Sequence, residues 1–268
     1  ECFDLKDRGA IAPGYRGDVV LLDDLKDFHV NRVFVEGELV AEEGKYLPEI
    51  KKCDIASVKG SVIVKDFSKE KFKMHLKSNK VNVIQILPGG VVTAKDIAEI
   101  ELDANGEFVR NPEVDLVKVA VVERHQGTGN VACGFLKGYG IKEGAVALSV
   151  AHDSHNIIVV GVNDDEMEFA VNSLVEQEGG IVLVKEGKVI ESMPMPIAGL
   201  MSDQSGEWVD QKLTDIHEKA YEELGICGDV EPVMTLCFMS LAVIPEIKLT
   251  DMGLFDVTTF SFIPVEAE

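Results

Sequence analysis

From residue 81 onwards, the order of strand-like and helical segments is the feature that most constrains the fold of this chain. Short runs of β-branched and aliphatic residues predict strands, and only two segments carry the 3.6-residue apolar period of a helix. No regular β-α-β succession joins them, so we predict an α+β domain over residues 81–268. The predicted strands cover residues 81–86, 115–122, 145–150 and 157–160, and a hairpin is predicted over residues 181–190.

The two predicted helices have recognisable ends. Asn163 is a favourable N-cap, and acidic residues fill the turn that follows, where the helix dipole favours anions. Apolar residues then recur on one face until Gly179-Gly180, which predicts a left-handed cap. The second helix is predicted from Ser205 to Gly225, with an apolar face that begins at Trp208.

Residues 1–55 predict a small antiparallel β-structure. The stretch from Val30 to Val35 alternates apolar and polar side chains, and a turn at Glu36-Gly37 leads into a second apolar run. This element is too small to fold as a domain of its own. Residues 56–80 are rich in lysine, which predicts a solvated connector that includes a strand at Val62-Ile63-Val64.

The net charge of -21 excludes several classes of partner. Nucleic-acid binding needs a basic surface that displaces counterions from phosphates, and anionic lipid also attracts basic residues. We therefore expect neither nucleic acid nor membrane as a partner, whereas a small neutral ligand is compatible with the charge. The longest apolar stretch, Val233 to Ile244, is shorter than the roughly 20 residues of a membrane span.

The start of the sequence and its cysteines suggest an origin and a compartment. The five cysteines form no closely spaced pair of the kind that binds zinc or catalyses redox exchange, which favours reduced thiols in the cytoplasm. The first residues resemble no signal peptide, and the absence of an initiating Met suggests that the chain starts inside a longer polypeptide.

Polar residues follow the predicted strand that ends at Val122. The segment from Glu123 to Asn130 contains two glycines, which indicate a sharp turn or a close approach to the backbone. Arg124 and His125 are candidate site residues in it. The alternative is a surface loop with a hydrogen-bonded histidine.

A denser polar cluster lies between the strands predicted at 145–150 and 157–160. It consists of His152, Asp153, Ser154, His155 and Asn156. Two histidines three residues apart are too few ligands to hold a divalent ion. The cluster therefore predicts either a proton relay in which Asp153 orients a histidine, or a structural network of hydrogen bonds.

The third unusual stretch runs from Met193 to Asp203 and combines methionines with prolines. It predicts either an apolar wall for a ring-shaped ligand or a linker that caps the second helix through Asp203 or Ser205. No phosphate-binding glycine loop and no zinc nucleobase-deaminase signature occur in the sequence.

Several of these segments resemble a known family. Residues 9–15 and 17–22 resemble the segment that follows the (β/α)8 barrel in the amidohydrolase superfamily, where the chain returns to a β-sandwich built from both ends of the protein. Residues 149–156, 196–202 and 243–251 are similar to adenine deaminases of the prokaryotic amidohydrolase type.

The resemblance implies a carboxy-terminal portion of such an enzyme: strands of the composite sandwich at 1–55, a connector at 56–80 and an α+β domain at 81–268. It implies hydrolysis of adenine to hypoxanthine and ammonia in purine salvage. A pair of divalent metals (manganese, iron or zinc) would be held by barrel residues that are absent here, so no metal ligands and little activity are expected in this chain alone. A homo-oligomer is also expected.

The same resemblance implies roles for the polar segments near the barrel mouth. We expect catalytic roles for His152, Asp153 and His155, and substrate-binding roles for the four residues Arg124, His125, Ser154 and Asn156. Two alternatives stay open. One is a structural or oligomer-interface module without a catalytic role, and the other is an amidohydrolase that acts on a different cyclic amide or amidine.

Overall fold

The structure of the chain, a computed structural model, describes residues 3–267 and contains two compact units. The first unit reaches Asp54 and the second begins at Ile55. Cys2, one of the cysteines predicted to be reduced, lies outside the described residues. The other four cysteines are free thiols.

The first unit is a four-stranded antiparallel sheet in the order β1-β2-β3-β4. Gly37, in the tight turn between β2 and β3, has φ +83, a conformation that favours glycine. A Cβ atom at Gly17 would lie 2.9 Å from the Gly37 nitrogen, so the two backbones can approach this closely only because Gly17 has no side chain. The strands are β1 Val19–Leu22, β2 Val30–Val35, β3 Glu38–Glu42 and β4 Lys45–Tyr46.

One face of this sheet carries a patch of apolar side chains. The register pairs Val20 with Val33, Val33 with Ala41, and Ala41 with Tyr46, so these side chains share a face, and Val35 joins them because side chains alternate along a strand. Val20 is 54% exposed and Tyr46 61%. We call these five residues the apolar face of the first unit.

The second unit is built around an eight-stranded sheet in the order β14-β13-β11-β12-β9-β10-β5-β6. Neighbouring strands are antiparallel except for β5 and β10, which are parallel. The strands of this unit are β5 Lys80–Ile86, β6 Thr93–Glu99, β7 Glu101–Leu102, β8 Phe108–Val109, β9 Leu116–Val122, β10 Val131–Lys137, β11 Ala145–Leu148, β12 Ile157–Gly161, β13 Gly180–Lys185, β14 Lys188–Pro194, β15 Ile247–Thr250, β16 Gly253–Asp256 and β17 Ser261–Phe262.

Helices and a smaller sheet cover both faces of the large sheet. On one face, α1 packs Met167 against a layer that includes Ala147 and Val159. On the other, α2, α3 and the β15-β16-β17 sheet bury residues such as Ile216 against Val146. Each fully buried aliphatic side chain stabilises the fold by about 1.5–3 kcal/mol. The helices are α1 Asp164–Glu176, α2 Gly206–Glu222 and α3 Pro232–Cys237, with short 3-10 turns at Ala56–Val58 and Lys69–Phe72.

The starts of α1 and α2 agree with the caps predicted from the sequence. The Asn163 side chain accepts a hydrogen bond from the Glu166 N–H, and the Ser205 side chain accepts one from the Trp208 N–H. A Cβ atom at Gly161 would lie 2.7 Å from the Met167 side chain, so a glycine there lets α1 approach the sheet. The predicted α+β class is confirmed.

Residues 56–80, which we predicted to be a connector, lie within the second unit. Phe72 is completely buried and packs edge-on against Phe67 with ring centroids 5.5 Å apart. Residues 62–64 form no strand; instead the Ile63 N–H donates to the Arg124 carbonyl oxygen at 2.7 Å. The apolar residues between the lysines explain this packing, because they cover the same side of the sheet as α1. No helix in residues 3–267 has both the length and the apolar character needed to cross a membrane.

Candidate functional site

The polar segments singled out in the sequence meet at one edge of the large sheet. Strands β9 and β11 both run antiparallel to β12, so their carboxyl ends lie on the same side. The loops that follow them, residues 123–130 and 149–156, are therefore neighbours. The end of β14 also lies there, since Pro194 pairs with Gly180 at the start of β13, and this brings residues 195–201 to the same edge.

Glu123 organises the first of these loops. Its buried carboxylate accepts hydrogen bonds from the backbone N–H groups of His125, Gln126 and Thr128, at 2.6–2.9 Å, and from the Thr128 hydroxyl at 3.0 Å. Burial acts to raise the pKa of Glu123, but these four donors outweigh it and lower the pKa to about 2. The loop is thus wound around an ionised carboxylate.

Arg124 points into the unit instead of towards solvent. It is 1% exposed, its Nε donates to the His155 carbonyl oxygen at 2.5 Å, and both terminal nitrogens lie 3.2 Å from the Ala198 carbonyl oxygen. A Cβ atom at Gly199 would lie 2.7 Å from the guanidinium, so the glycine makes room for it. Burial lowers the pKa of Arg124. The substrate-binding role expected for Arg124 stays a prediction.

His125 lies at the surface of the same loop. Its Nε2 donates to the Ser154 carbonyl oxygen at 2.7 Å, which links the two polar loops directly. Ser154 itself is exposed, and its hydroxyl accepts from the Asn156 N–H at 3.4 Å. The structure therefore brings together His125 and Ser154, which the sequence analysis assigned to one site.

The two histidines of the second loop are in ring contact. The His152 and His155 ring centroids lie 5.5 Å apart in an edge-on arrangement, and His152 also contacts the Phe238 ring at 4.8 Å. Both imidazoles are half-buried, whereas Asp153 between them is exposed. Within the described residues, the buried Nδ1 of His155 has no hydrogen-bond partner. His155 thus offers a nitrogen that the fold does not use.

The surroundings of His155 favour its neutral form. Removal from water lowers the pKa of His155, and the neighbouring His152 and Arg124 lower it further, against an opposing effect of Asp153. A neutral imidazole can accept a proton or a hydrogen bond at neutral pH. This is the protonation state that a general base or a hydrogen-bond acceptor for a ligand N–H group requires.

Asp251 joins the loops and was not among the predicted site residues. Its two carboxylate oxygens accept from the side-chain amides of Asn156 at 3.2 Å and Asn130 at 3.3 Å. Asn156 is 4% exposed, and its amide oxygen accepts from the Arg124 N–H at 3.3 Å. Asp251 lies 95 positions after Asn156 in the sequence. The sequence analysis included it only as part of the 243–251 motif.

The methionine- and proline-rich stretch serves partly as a support for the site. The Ser149 hydroxyl donates to the Gly199 carbonyl oxygen at 2.6 Å and accepts from the Gly180 N–H at 2.8 Å. The stretch ends before Ser205, which caps α2. Met201 is 58% exposed, so an apolar side chain also lies at the surface of this segment.

Comparison with known proteins identifies the family to which this chain is similar. The family model described as "Adenine deaminase C-terminal domain" matches residues 90–261, which include the whole candidate site. The chain belongs to this family. Adenine deaminase 2 of Desulfotalea psychrophila is 65% identical over 267 residues, which are 100% of this chain and 46% of that protein.

Other adenine deaminases match over a similar range. The protein from Ligilactobacillus salivarius is 48% identical over 264 residues, and adenine deaminase 2 of Carboxydothermus hydrogenoformans is 45% identical over 263 residues. Each alignment covers 98% of this chain and 46% of the relative. The chain thus spans about half the length of the curated relatives it matches, and the predicted resemblance to adenine deaminases is confirmed.

Within residues 3–267, the chain does not itself offer a metal centre. Among residues 3–267, no three histidine, cysteine, aspartate or glutamate side chains are grouped so that they could hold a metal ion. His152, Asp153 and His155 do not form such a set. The side chains present here therefore do not fit the metal pair that the resemblance implies, and no chemical step is assigned to it.

Proposed function

We propose that this chain is the accessory portion of an adenine deaminase, the enzyme that converts adenine and water to hypoxanthine and ammonia. The observation that carries the proposal is the match to the adenine deaminase C-terminal domain over residues 90–261, which span the candidate site. Relatives named adenine deaminase match the chain over nearly its whole length. We further propose a cytoplasmic protein that forms a homo-oligomer and uses a divalent metal pair (manganese, iron or zinc) held outside these residues.

Within this proposal, the His155 imidazole handles a proton or a hydrogen bond of the purine. Its Nδ1 is unpaired, and its surroundings favour the neutral form. Adenine carries N–H donors and ring-nitrogen acceptors, which an imidazole can match in either tautomer. The His152 ring contacts the His155 ring edge-on, and the exposed Asp153 carboxylate lies close enough to act on the pKa of His155.

The remaining members of the predicted set shape the surface that would face the substrate. His125 and Ser154 lie at the surface and are joined to each other by the hydrogen bond of 2.7 Å. Asn156 and Arg124 lie beneath them, held by Asp251 and by backbone carbonyl oxygens. We propose that His125 and Ser154 contact the purine. We propose that Asn156 and Arg124 keep these loops in place.

Substitution of the cluster in the complete gene product tests this function. His155→Ala is expected to lower kcat for ammonia release from adenine by about 100- to 10,000-fold, the range of a lost general acid or base. Asp153→Ala is expected to lower it less, since Asp153 acts through the histidine. The metal content should stay at the wild-type value, because we place the metal ligands elsewhere.

His217→Ala is the matched control, because His217 is a half-buried histidine on α2 that pairs with Glu231 at 2.6 Å and belongs to none of the three loops. It should retain wild-type turnover. Unchanged turnover in His155→Ala and Asp153→Ala together would refute a catalytic role for the cluster.

The alternative of a structural module also has an observation in its favour. The loops at this edge are joined by hydrogen bonds that require no ligand, among them those from Asn130 and Asn156 to Asp251. If this alternative holds, His155→Ala will lower the melting temperature without a specific loss of turnover. The comparison of kcat with Tm across the same variants separates the two functions.

A further inference from the structure

The guanidinium of Arg124 is a buried positive charge without a carboxylate partner. Among the described residues, Arg124 forms no salt bridge. Burial lowers the pKa of Arg124 against the opposing charge of Glu123, whose carboxylate oxygens accept hydrogen bonds within their own loop. All of the guanidinium's hydrogen bonds go to two backbone carbonyl oxygens, those of His155 and Ala198. Burial of a cation without a carboxylate partner costs stability. A function for Arg124 would explain why this arrangement is present.

The two carbonyl oxygens belong to segments that are 43 residues apart in the chain. One lies in the turn that presents the candidate imidazole, and the other in the Pro196–Met201 segment. His155 and Ala198 both have positive φ, 52 and 57, which is uncommon for residues with a Cβ atom. Such backbone conformations persist where the surroundings fix them, and the guanidinium binds the carbonyl oxygen of each of these two residues.

We propose that Arg124 is a positioning residue that ties the His155 turn to the Pro196–Met201 segment and so holds the His155 imidazole in one orientation. The catalytic consequence rests on the proposed function, whereas the positioning itself does not. Arginine suits this task because its planar fork donates several hydrogen bonds in fixed directions, which lysine cannot reproduce.

The charged groups around His155 make the role measurable. His152 and Asp153 act on its pKa from the same turn, and Arg124 and His125 act from the loop after β9. Removal from water and the positive charge of Arg124 both lower the pKa of His155. Loss of the guanidinium therefore raises the pKa of His155, whereas a lysine in its place keeps the charge but loses the fork.

Two variants of the 268-residue chain test the positioning directly. By NMR, Arg124→Met is expected to shift the titration of the His155 ring to higher pH, towards the ordinary value of 6.5, and Arg124→Lys is expected to shift it less. In both variants, the amide hydrogens of residues 197–201 should exchange with solvent faster than in the wild type. The matched control is Lys118→Met, which removes another buried cation that bonds the Phe72 carbonyl oxygen and Asp164, on the α1 side of the sheet, and should change neither property.

In the complete gene product, Arg124→Met is expected to lower kcat for adenine by about ten- to a hundredfold with little change in KM, the effect of a misplaced group. The acid limb of its kcat–pH profile should move to higher pH, because the pKa of His155 rises. If the wild-type gene product does not deaminate adenine, the proposed function fails, and the NMR and exchange measurements still decide the positioning role.

A purely structural Arg124 would leave a different pattern. Arg124→Met would then lose stability as Lys118→Met does and would shift the His155 titration only through the lost charge, so that Arg124→Lys titrates as the wild type does. The exchange of residues 197–201 and kcat would stay at the wild-type values in both variants, and this result would overturn the inference. If Arg124→Met does not fold, Arg124→Lys decides, because wild-type amide exchange in that variant is incompatible with a guanidinium tie.

Discussion

Glu123 illustrates how one buried carboxylate sets the shape of a loop. Its four hydrogen-bond donors all come from residues 125–128, so the path of that segment depends on the carboxylate being ionised. His125, which we place at the surface of the candidate site, is one of these donors. The order of the loop is therefore linked to pH.

The pH dependence of stability follows from the pKa of Glu123. Because this pKa is lowered from 4.5 to about 2 on folding, the unfolded chain binds the proton first as the pH falls. The stabilisation is fully present above 4.5 and is lost as the pH falls towards 2. Glu123→Gln is expected to lower the free energy of unfolding at neutral pH by roughly 2–3 kcal/mol, and by progressively less in acid.

Urea unfolding at several pH values checks this prediction. Glu218→Gln is the control, since Glu218 is exposed on α2, and its change should stay within about 0.5 kcal/mol. An equal destabilisation of Glu123→Gln at every pH would show that the charge of the carboxylate is not what stabilises the loop.

At the scale of elements, the start of α1 is stabilised by its N-cap residue. The Asn163 side chain accepts a hydrogen bond from the Glu166 N–H at 2.8 Å. Asn163→Ala is expected to lower the free energy of unfolding by about 1 kcal/mol, whereas Asn163→Ser should retain most of the stability, because a hydroxyl can accept the same hydrogen bond. A difference between the two variants close to zero in urea unfolding would contradict the role of the cap.

The apolar face of the first unit predicts association of the isolated chain. An exposed apolar sheet face and its edges tend to be covered by another surface. We expect the 268-residue chain to self-associate, and the double substitution Val20→Thr and Val35→Thr to weaken this association in sedimentation velocity. Leu21→Thr is the control, because Leu21 pairs with Arg32 and lies on the opposite face. A wild-type chain that sediments as a monomer at all concentrations would contradict the prediction.

Local signals explain which elements could be predicted from the sequence. The caps at Asn163 and Ser205 depend only on neighbouring residues, so the starts of both long helices agree with the structure. Strands β9, β11 and β12 were also predicted, because they are buried and almost purely apolar. Among the elements that were not predicted are β6, whose exposed positions carry charges, β10, which a cysteine and a glycine interrupt, and the short α3.

The candidate site was only partly predictable, because its connections are non-local. The polar residues at 123–130 and 149–156 were recognisable by composition, and the sheet places them together. Nothing in the local sequence indicates that Asp251 joins Asn130 to Asn156, or that the Arg124 side chain turns inward to Ala198. These contacts depend on the order of strands in the sheet, which the sequence pattern alone did not specify.

At the scale of the whole molecule, the chain carries a cluster of polar and titratable side chains at one edge of a sheet but no grouping of metal ligands in residues 3–267. Its relatives are about twice as long and are named adenine deaminases. We therefore expect the chemistry to need residues of the complete gene product together with the cluster around His155.

The most direct test compares ammonia release from adenine by the complete gene product and by the 268-residue chain, with His155→Ala made in both. The account predicts turnover by the complete gene product, a large loss of that turnover in its His155→Ala variant, and no release by the shorter chain above the level of its own variant. Release by the purified shorter chain that depends on His155 would contradict the account, because the candidate site would then be a complete active site.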